Sequence, residues 1–201
     1  MSDNFIKEIR GIREILSGKL KPERYEHSLS VSYTAVCLAM RYGADLSKAE
    51  LAGLLHDCAK QFSNSRLIEL CREADIPLSE DFLRSPQVIH AEYGFYYARK
   101  AFGIDDPDIL SAIRFHTLGR ADMTLLEKII FTADYIEVRR DKQDRLPEIR
   151  KLAFTDLDRC VYEILHDTVN YLSENGGFIC GDSLITYHYY QKLMEERNDK
   201  Q

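Results

Sequence analysis

The chain of 201 residues is poor in several features that mark particular protein classes. It has no tryptophan, only five prolines and ten glycines, and no repeat or glycine-rich linker. No segment approaches the ~20 apolar residues of a membrane-spanning helix, and no N-terminal run resembles a signal peptide. The five cysteines are an odd number without CxxC spacing, which is typical of a reduced protein. We therefore expect a cytoplasmic protein without a membrane partner.

An excess of positive charge is also missing, since the formal net charge is −6. Long nucleic acids are usually bound through a broad basic surface, so we expect no nucleic-acid partner. A small nucleotide needs only a few basic side chains and a metal ion, and the charge does not exclude it. Hydrophobic residues make up 45% of the chain, which is enough for a core. The length is most simply that of one domain over residues 1–201.

The apolar pattern is helical nearly throughout, and the alternating pattern of strands is essentially missing. Pro22 suits the first turn of a long helix that runs to Tyr42 and is closed by Gly43. The first amphipathic helix is indicated by a spacing of three and four between Phe5, Ile9, Ile12 and Leu16. The sequence therefore predicts an all-α fold.

Further helices are predicted over residues 47–59, 65–74, 86–103, 107–116, 123–137, 155–174 and 184–196. Ser47 is a candidate cap for the first of these, with Glu50 at the reach-back position. Charged residues and Pro147 break the helical pattern between residues 139 and 148. Residues 139–153 are the part that the pattern determines least, and we interpret them as a mobile loop.

Histidines and aspartates recur in an order that suggests a metal site: His27, His56, Asp57, His90, His116 and Asp134. Neutral imidazoles and carboxylates are ligands that borderline and hard metal ions prefer. Singly, each residue has a simpler explanation, because a histidine on a partly apolar helix face is more often packed than bound to metal. His56 and Asp57 point ~100° apart on an ideal helix, so they can converge only at a frayed or bent helix end. Asp134 lies in an apolar run, where a carboxylate is costly to bury unless it is paired or metal-bound.

Other candidate residues have structural explanations that compete with a functional one. His166 and His188 lack such acidic partners, and we assign them to packing or to the surface. Cys58 could be a nucleophile, but an apolar helix favours a small packing residue. Lys60 lies four residues after His56, on the same face of the predicted helix. It is either a contact to phosphate that stabilises the departing group or a solvated lysine at a helix end.

The ordered set resembles the HD-domain superfamily of metal-dependent phosphohydrolases and, within it, the YqeK-type family. The resemblance spans about residues 20–190, and its motifs are Arg24-Tyr-Glu-His-Ser28, Leu54-Leu-His-Asp-Cys-Ala-Lys60, Val88-Ile-His-Ala-Glu-Tyr-Gly94, Ala112-Ile-Arg-Phe-His-Thr-Leu-Gly-Arg120 and Ala133-Asp-Tyr-Ile-Glu137. It implies a single all-helical HD domain and symmetrical cleavage of diadenosine tetraphosphate to two ADP. It also implies a paired-metal centre, with iron as the first candidate and manganese or others as alternatives, and a homodimer.

With this resemblance the six residues become ligands of two metal ions, and Asp57 becomes the bridge between them. Two ions ~3.5–4 Å apart can supply a bridging hydroxide and bind both oxygens of an in-line displacement. Asp57 and Lys60 are therefore the predicted catalytic residues. Guanidinium groups bind phosphate in a bidentate way, although surface ion pairing explains Arg24 and Arg140 equally well. The predicted substrate-binding residues are Arg24, Lys60, Thr117, Arg120 and Arg140.

Three segments depart from the family pattern. Val138 stands where the family usually has a proline, and the segment Asp141–Arg145 after it is unusually charged. Near the C-terminus, Phe178-Ile-Cys-Gly-Asp182 replaces an Ile-His-Pro type of sequence. These changes bear on substrate preference, so an enzyme for other (deoxy)nucleotides or phosphoesters stays an alternative. A nucleotide-sensing module that retains its metal without turnover is another, and a purely structural helical protein is the weakest.

Overall fold

A computed structural model describes residues 3–141 and 144–199. Within these ranges the chain forms eleven α-helices, two short 3-10 turns and no strand. The predicted all-α fold is therefore confirmed. The 3-10 turns cover Cys58–Gln61 and Pro86–Val88. The helices are α1 (Asp3–Lys19), α2 (Pro22–Tyr42), α3 (Leu46–Leu55), α4 (Asn64–Glu73), α5 (Glu80–Arg84), α6 (Ile89–Phe102), α7 (Pro107–Phe115), α8 (Leu125–Ile136), α9 (Leu146–Ala153), α10 (Leu157–Glu174) and α11 (Gly181–Asn198).

Helix α2 has the bounds that its sequence predicts. Pro22 occupies its first turn, and Gly43 closes it in the left-handed conformation with φ 73°. A proline lacks the N–H that the first turn leaves unpaired, and a glycine adopts positive φ without steric cost. The second helix was therefore predictable from local chemistry alone.

The predicted cap of α3 is wrong. The side chain of Asp45, not Ser47, accepts a hydrogen bond from the backbone N–H of Lys48. Glu50 pairs instead with Arg13 of α1, at 2.9 Å. The helix also ends at Leu55 rather than near residue 59, because the chain changes into a 3-10 turn. This early end determines the direction of the residues that follow.

The mobile loop expected over residues 139–153 is wrong for its second half. Leu146–Ala153 forms α9, with Pro147 in the first turn. Leu146, Ile149 and Ala153 are buried, and their spacing of three and four is that of an amphipathic helix. Residues 142–143 lie outside the described part of the chain. The charged residues around Pro147 made the helical spacing of the apolar residues hard to recognise in the sequence.

Two apolar clusters hold the helices together. The larger one is formed mainly by α1, α2, α3, α7, α8 and α10, and a smaller one packs α4 against α6. α2 and α3 approach so closely that a Cβ placed on Gly53 would lie 2.8 Å from the Cα of Ser32. In the parts of the chain that the structure describes, no helix has the length and apolar character needed to cross a membrane.

Candidate metal centre

The six predicted ligands come together where five helices meet. His27 lies in the second turn of α2, and Asp134 lies in the last turn of α8. His90 is the second residue of α6, and His116 directly follows α7. His56 directly follows α3, and its neighbour Asp57 occupies the turn before Cys58–Gln61. The helix end expected at the adjacent pair is therefore present.

The first group of ligand atoms surrounds His27. Its Nε2 lies 3.0 Å from Oδ1 of Asp134 and 3.3 Å from Nε2 of His56. The Nε2 of His56 lies 3.4 Å from Oδ2 of Asp57. Nitrogen and oxygen ligands of one ion, each bound at ~2.1 Å, lie about 3 Å apart. This group therefore has the spacing of a metal site.

The second group faces the other oxygen of Asp57. Oδ1 of Asp57 lies 3.1 Å from Nε2 of His90 and 3.6 Å from Nε2 of His116. The two Nε2 atoms are 3.1 Å apart. Asp57 thus presents one carboxylate oxygen to each group, and its side chain is only 3% exposed.

The other ring nitrogen of each histidine is already occupied. The Nδ1 atoms of His56, His90 and His116 each lie 2.7 Å from a backbone carbonyl oxygen three residues earlier. A carbonyl only accepts hydrogen bonds, so each Nδ1 carries the proton and each Nε2 lone pair faces the centre. Such contacts orient metal-binding histidines in many proteins. The cluster can therefore hold a metal ion.

The ionisation states of the cluster suit metal binding. Burial raises the pKa of Asp57, but the surrounding histidines outweigh burial and lower that pKa well below its usual value. Burial likewise opposes ionisation of Asp134, yet the hydrogen bond with His27 and the electrostatic influence of His56 and Arg140 lower its pKa. Burial lowers the pKa of His90 to about 4. At neutral pH the two carboxylates are charged and His90 is neutral, which are the states that bind a cation.

Three of the predicted substrate residues lie at the ligands. Arg24 donates from Nη1 to Oδ2 of Asp57 at 2.7 Å. Arg140 donates from Nη2 to Oδ1 of Asp134, also at 2.7 Å, and from Nε to the Asp134 carbonyl oxygen. The hydroxyl oxygen of Thr117 lies 3.2 Å from Nε2 of His116. The two guanidinium groups therefore neutralise the two carboxylates in this structure.

The sequence predicts that Lys60 follows His56 on a continuous helix. This prediction is wrong, because α3 ends at Leu55. It lies in the 3-10 turn, and its Nζ donates to the carbonyl oxygen of Gln87 at 3.2 Å. Burial lowers the pKa of Lys60, while the charge of Asp57 acts in the opposite direction. Lys60 is thus close enough to the centre for its carboxylates to influence it.

The structure does not bring Arg120 to the ligands. Its Nε and Nη2 contact the carboxylate of Glu127, at 3.1 and 3.0 Å, and its Nη1 donates to the carbonyl oxygen of Ala121. Glu127 is fully buried in the first turn of α8 and forms a capping box with Thr124. The described contacts of Arg120 are therefore those of a residue that holds the start of α8, and its phosphate role stays a prediction.

Two residues that support the centre were not identified from the sequence. Glu137 is 2% exposed, and its carboxylate accepts hydrogen bonds from Nδ1 of His27 at 3.1 Å and from the backbone N–H of Arg139 at 2.8 Å. Arg150 of α9 donates to the carbonyl oxygens of Ile136, Glu137 and Arg140. Glu137 belongs to the last of the quoted motifs, which was its only signal. Arg150 lies in the segment that we had interpreted as a loop.

Two of the residues assigned to packing, Cys58 and His166, have surroundings of that kind. Cys58 is fully buried, and burial raises the pKa of its thiol, which makes it a poor nucleophile. His166 packs against the rings of Tyr162 and Tyr187 on α10 and α11. Both observations agree with structural roles.

Comparisons with known proteins identify the family. The HD domain model matches residues 24–139, a range that contains all six predicted ligands. The chain is 40% identical over 184 residues to the symmetrical bis(5'-nucleosyl)-tetraphosphatase of Halalkalibacterium halodurans, covering 92% of this chain and 96% of the relative. It is 38% identical to the protein of the same name from Bacillus subtilis, covering 85% and 91%.

A solved structure gives the same result at the level of the fold. The crystal structure of a predicted HD superfamily hydrolase involved in NAD metabolism, from Clostridium acetobutylicum, superposes with a TM-score of 0.88 and 39% identity. The match covers 91% of this chain and 96% of the other. The chain belongs to the HD domain family.

Proposed function

We propose that this protein is a metal-dependent phosphohydrolase that cleaves diadenosine tetraphosphate symmetrically to two ADP. The single observation that carries this proposal is the position of the Asp57 carboxylate, with one oxygen toward each group of histidines. The substrate follows from relatives that are 34–40% identical over most of the chain and are named as symmetrical tetraphosphatases.

Two divalent ions fit the arrangement of donors. His27, His56, Asp134 and Oδ2 of Asp57 would hold one ion, and His90, His116 and Oδ1 of Asp57 would hold the other. Such ions activate a water molecule and neutralise charge on the phosphoryl oxygens when they are bound. Imidazole and carboxylate donors suit iron, which is our first candidate, and also manganese.

The reaction replaces one bond to phosphorus by another. The oxygen of water bonds to one of the two central phosphorus atoms, and the bond from that atom to the central bridging oxygen breaks. The bridging oxygen leaves with its electron pair as the terminal oxygen of one ADP, and the attacked half becomes the second ADP. In this proposal Lys60 stabilises the departing oxygen, and the Thr117 hydroxyl binds a phosphoryl oxygen.

Arg24 and Arg140 have two successive roles in this proposal. In this structure each guanidinium pairs with a carboxylate that also faces a ligand group. The two guanidinium groups would leave those oxygens if metal ions were bound there, because like charges repel each other. The released donors then bind phosphate oxygens, for which guanidinium geometry is well suited.

The test is a product analysis with purified protein and Fe(II) or Mn(II), against a panel of dinucleoside polyphosphates, nucleotides and deoxynucleotides. ADP as the sole product from diadenosine tetraphosphate supports the proposal. AMP plus ATP would mean asymmetric cleavage and would refute it. Turnover of another nucleotide in preference would favour the alternative substrate class, and metal retention without turnover would favour a sensing module.

The Asp57→Asn variant tests the bridging role. The amide keeps the shape but loses the negative charge and one acceptor oxygen, so we expect at least about a 100-fold loss of kcat. Metal analysis should also show fewer ions per chain. Asp105→Asn is the control, because Asp105 is an exposed aspartate paired with Arg99. Full activity of Asp57→Asn would exclude the proposed chemistry.

A further inference from the structure

A cavity of about 440 Å³ adjoins His27, one ligand of the first group, and is lined by cations that the ligand set does not include. Lys21 lies at the N-terminal cap of α2, and Arg139 lies in the turn after α8. Arg24 and Arg140 complete the four cations of the wall. We name this space the arginine cavity.

Two of these cations are weakly engaged. The side chain of Lys21 is exposed. The guanidinium of Arg139 pairs with Glu26 at 3.2 Å, but both side chains are about half-exposed, at 53% and 49%. Exposed ion pairs contribute little to stability because water and salt screen them. Arg139 can therefore exchange Glu26 for an anion at little cost.

Carboxylates also line the arginine cavity, and they limit which anion fits. The carboxylate of Glu137 already accepts hydrogen bonds from His27 and from the backbone N–H of Arg139. Glu23 and Asp141 are exposed. Exposed carboxylates accept hydrogen bonds from sugar hydroxyls, as they do in dinucleotide-binding folds. Cations together with such acceptors suit a ribose attached to phosphates better than an inorganic anion alone.

We propose that the arginine cavity receives the nucleoside diphosphate that leaves in the reaction, and that Lys21 and Arg139 select substrates with a second nucleotide half. This inference rests on the proposed hydrolysis of diadenosine tetraphosphate. In this arrangement one half of the substrate lies on the predicted metal ligands, and the other half occupies the cavity, which has His27 in its wall. Its cations stabilise the negative charge that develops on the departing diphosphate.

The experiment compares two substrates in the Mn(II)-loaded protein: diadenosine tetraphosphate and p-nitrophenyl phosphate, which has no second nucleotide. Arg139→Ala and Lys21→Ala should each lower kcat/KM for diadenosine tetraphosphate by roughly 10-fold, the effect of one lost charge-assisted hydrogen bond. The value for p-nitrophenyl phosphate should change by less than about 2-fold, since that substrate does not reach the cavity. Calorimetric titration with ADP provides a readout independent of turnover, and both variants should bind ADP more weakly.

Two control variants separate the guanidinium from its ion pair. Glu26→Gln breaks the same pair but keeps Arg139, so it should retain the activity and ADP affinity of the wild type. Arg99→Ala removes an arginine of similar exposure, which pairs with Asp105 at 3.2 Å. A loss in Glu26→Gln equal to that in Arg139→Ala would overturn the inference. Equal losses for both substrates, or no loss, would also overturn it.

The outcome for the wild-type protein distinguishes the two proposals. Absence of ADP from diadenosine tetraphosphate would refute the proposed function itself. Normal cleavage by the wild type, with the ratio of kcat/KM for the two substrates unchanged in Lys21→Ala and Arg139→Ala, would refute only the role of the arginine cavity.

Discussion

One buried side chain, Glu137, links the first ligand group to the turn that follows α8. Its carboxylate accepts hydrogen bonds from His27 and from the backbone of Arg139. We expect Glu137→Ala to weaken metal binding by about 10–100-fold, because His27 loses the partner that orients its ring. Competition titration with a metal chelator measures this affinity.

The conservative variant is the control for this prediction. Glu137→Gln keeps an acceptor oxygen for His27, so its loss of affinity should be smaller than that of Glu137→Ala. Wild-type metal affinity in Glu137→Ala would show that His27 needs no such support. A urea unfolding curve for each variant separates loss of orientation from loss of folding.

The clustering of the six predicted ligands could be expected from residue types and their order, whereas their supporting contacts could not. A histidine–aspartate pair and a carboxylate in an apolar run are visible in the sequence. The contact between His27 and Glu137 joins residues 110 positions apart, and it exists only once α2 and α8 pack together. The pairing of Arg120 with Glu127 likewise depends on how the chain turns before α8. Short-range chemistry does not encode such contacts.

At the scale of elements, the close approach of α2 and α3 sets the position of His56. A Cβ on Gly53 would meet backbone atoms of Ser32 at 2.8 and 3.1 Å, and backbone cannot move aside as a flexible side chain can. We expect Gly53→Ala to lower the free energy of unfolding by about 1–3 kcal/mol, the usual effect of overpacking. It should also lower metal affinity, because the carbonyl oxygen of Gly53 accepts from Nδ1 of His56.

Gly11→Ala is the matched control for this substitution. Gly11 lies within α1, and nothing lies within 4 Å of the position of its added Cβ. Alanine should therefore stabilise the protein by about 0.5–1 kcal/mol, the difference between the two residues in a helix. Urea unfolding should show a lower free energy of unfolding for Gly53→Ala and a higher one for Gly11→Ala. Changes in the same direction would contradict this account of the α2–α3 contact.

Helix bounds were predictable where a proline or glycine marks them, as in α2 and α7. The end of α3 has no such mark, since His56 and Asp57 leave the helix to reach their ligand groups. α9 was missed because its charged residues Glu148 and Lys151 are exposed and only three of its residues are buried. The helix α9 matters for the centre because its Arg150 donates hydrogen bonds to the carbonyl oxygens at the end of α8.

At the scale of the whole molecule, the burial of cysteine thiols leads us to expect a lower free energy of unfolding at alkaline pH. Burial raises the pKa of Cys71, between α4 and α6, from about 9 to about 11. Between these pH values the unfolded chain releases the thiol proton while the folded chain retains it, so rising pH favours unfolding. Two pKa units correspond to about 3 kcal/mol at most.

Urea unfolding at pH 8, 9, 10 and 11 measures this effect. The wild-type free energy of unfolding should fall over this range, and that of Cys71→Ala should fall less steeply, although it starts lower because packing is lost. The other ionisable groups are common to both proteins, so the difference in slope reports Cys71. Parallel curves would show that Cys71 makes no such contribution.

The predicted homodimer and the outer bounds of the domain also belong to this scale and stay predictions. Multi-angle light scattering of the purified protein measures the first directly. The family match covers residues 24–139, whereas α10 and α11 lie beyond it. These two helices pack on each other, and α10 also packs on α8.

The distribution of the ligands along the chain has a consequence for synthesis. His27 leaves the ribosome about 110 residues before Glu137, a delay of roughly 5–20 s at ordinary rates of elongation. During that interval His27 has neither Asp134 nor Glu137, and the first ligand group is incomplete. The complete set exists only after α8 has emerged and docked on α2. The first ligand group is therefore completed late in synthesis, after Asp57, His90 and His116 of the second group have already been made.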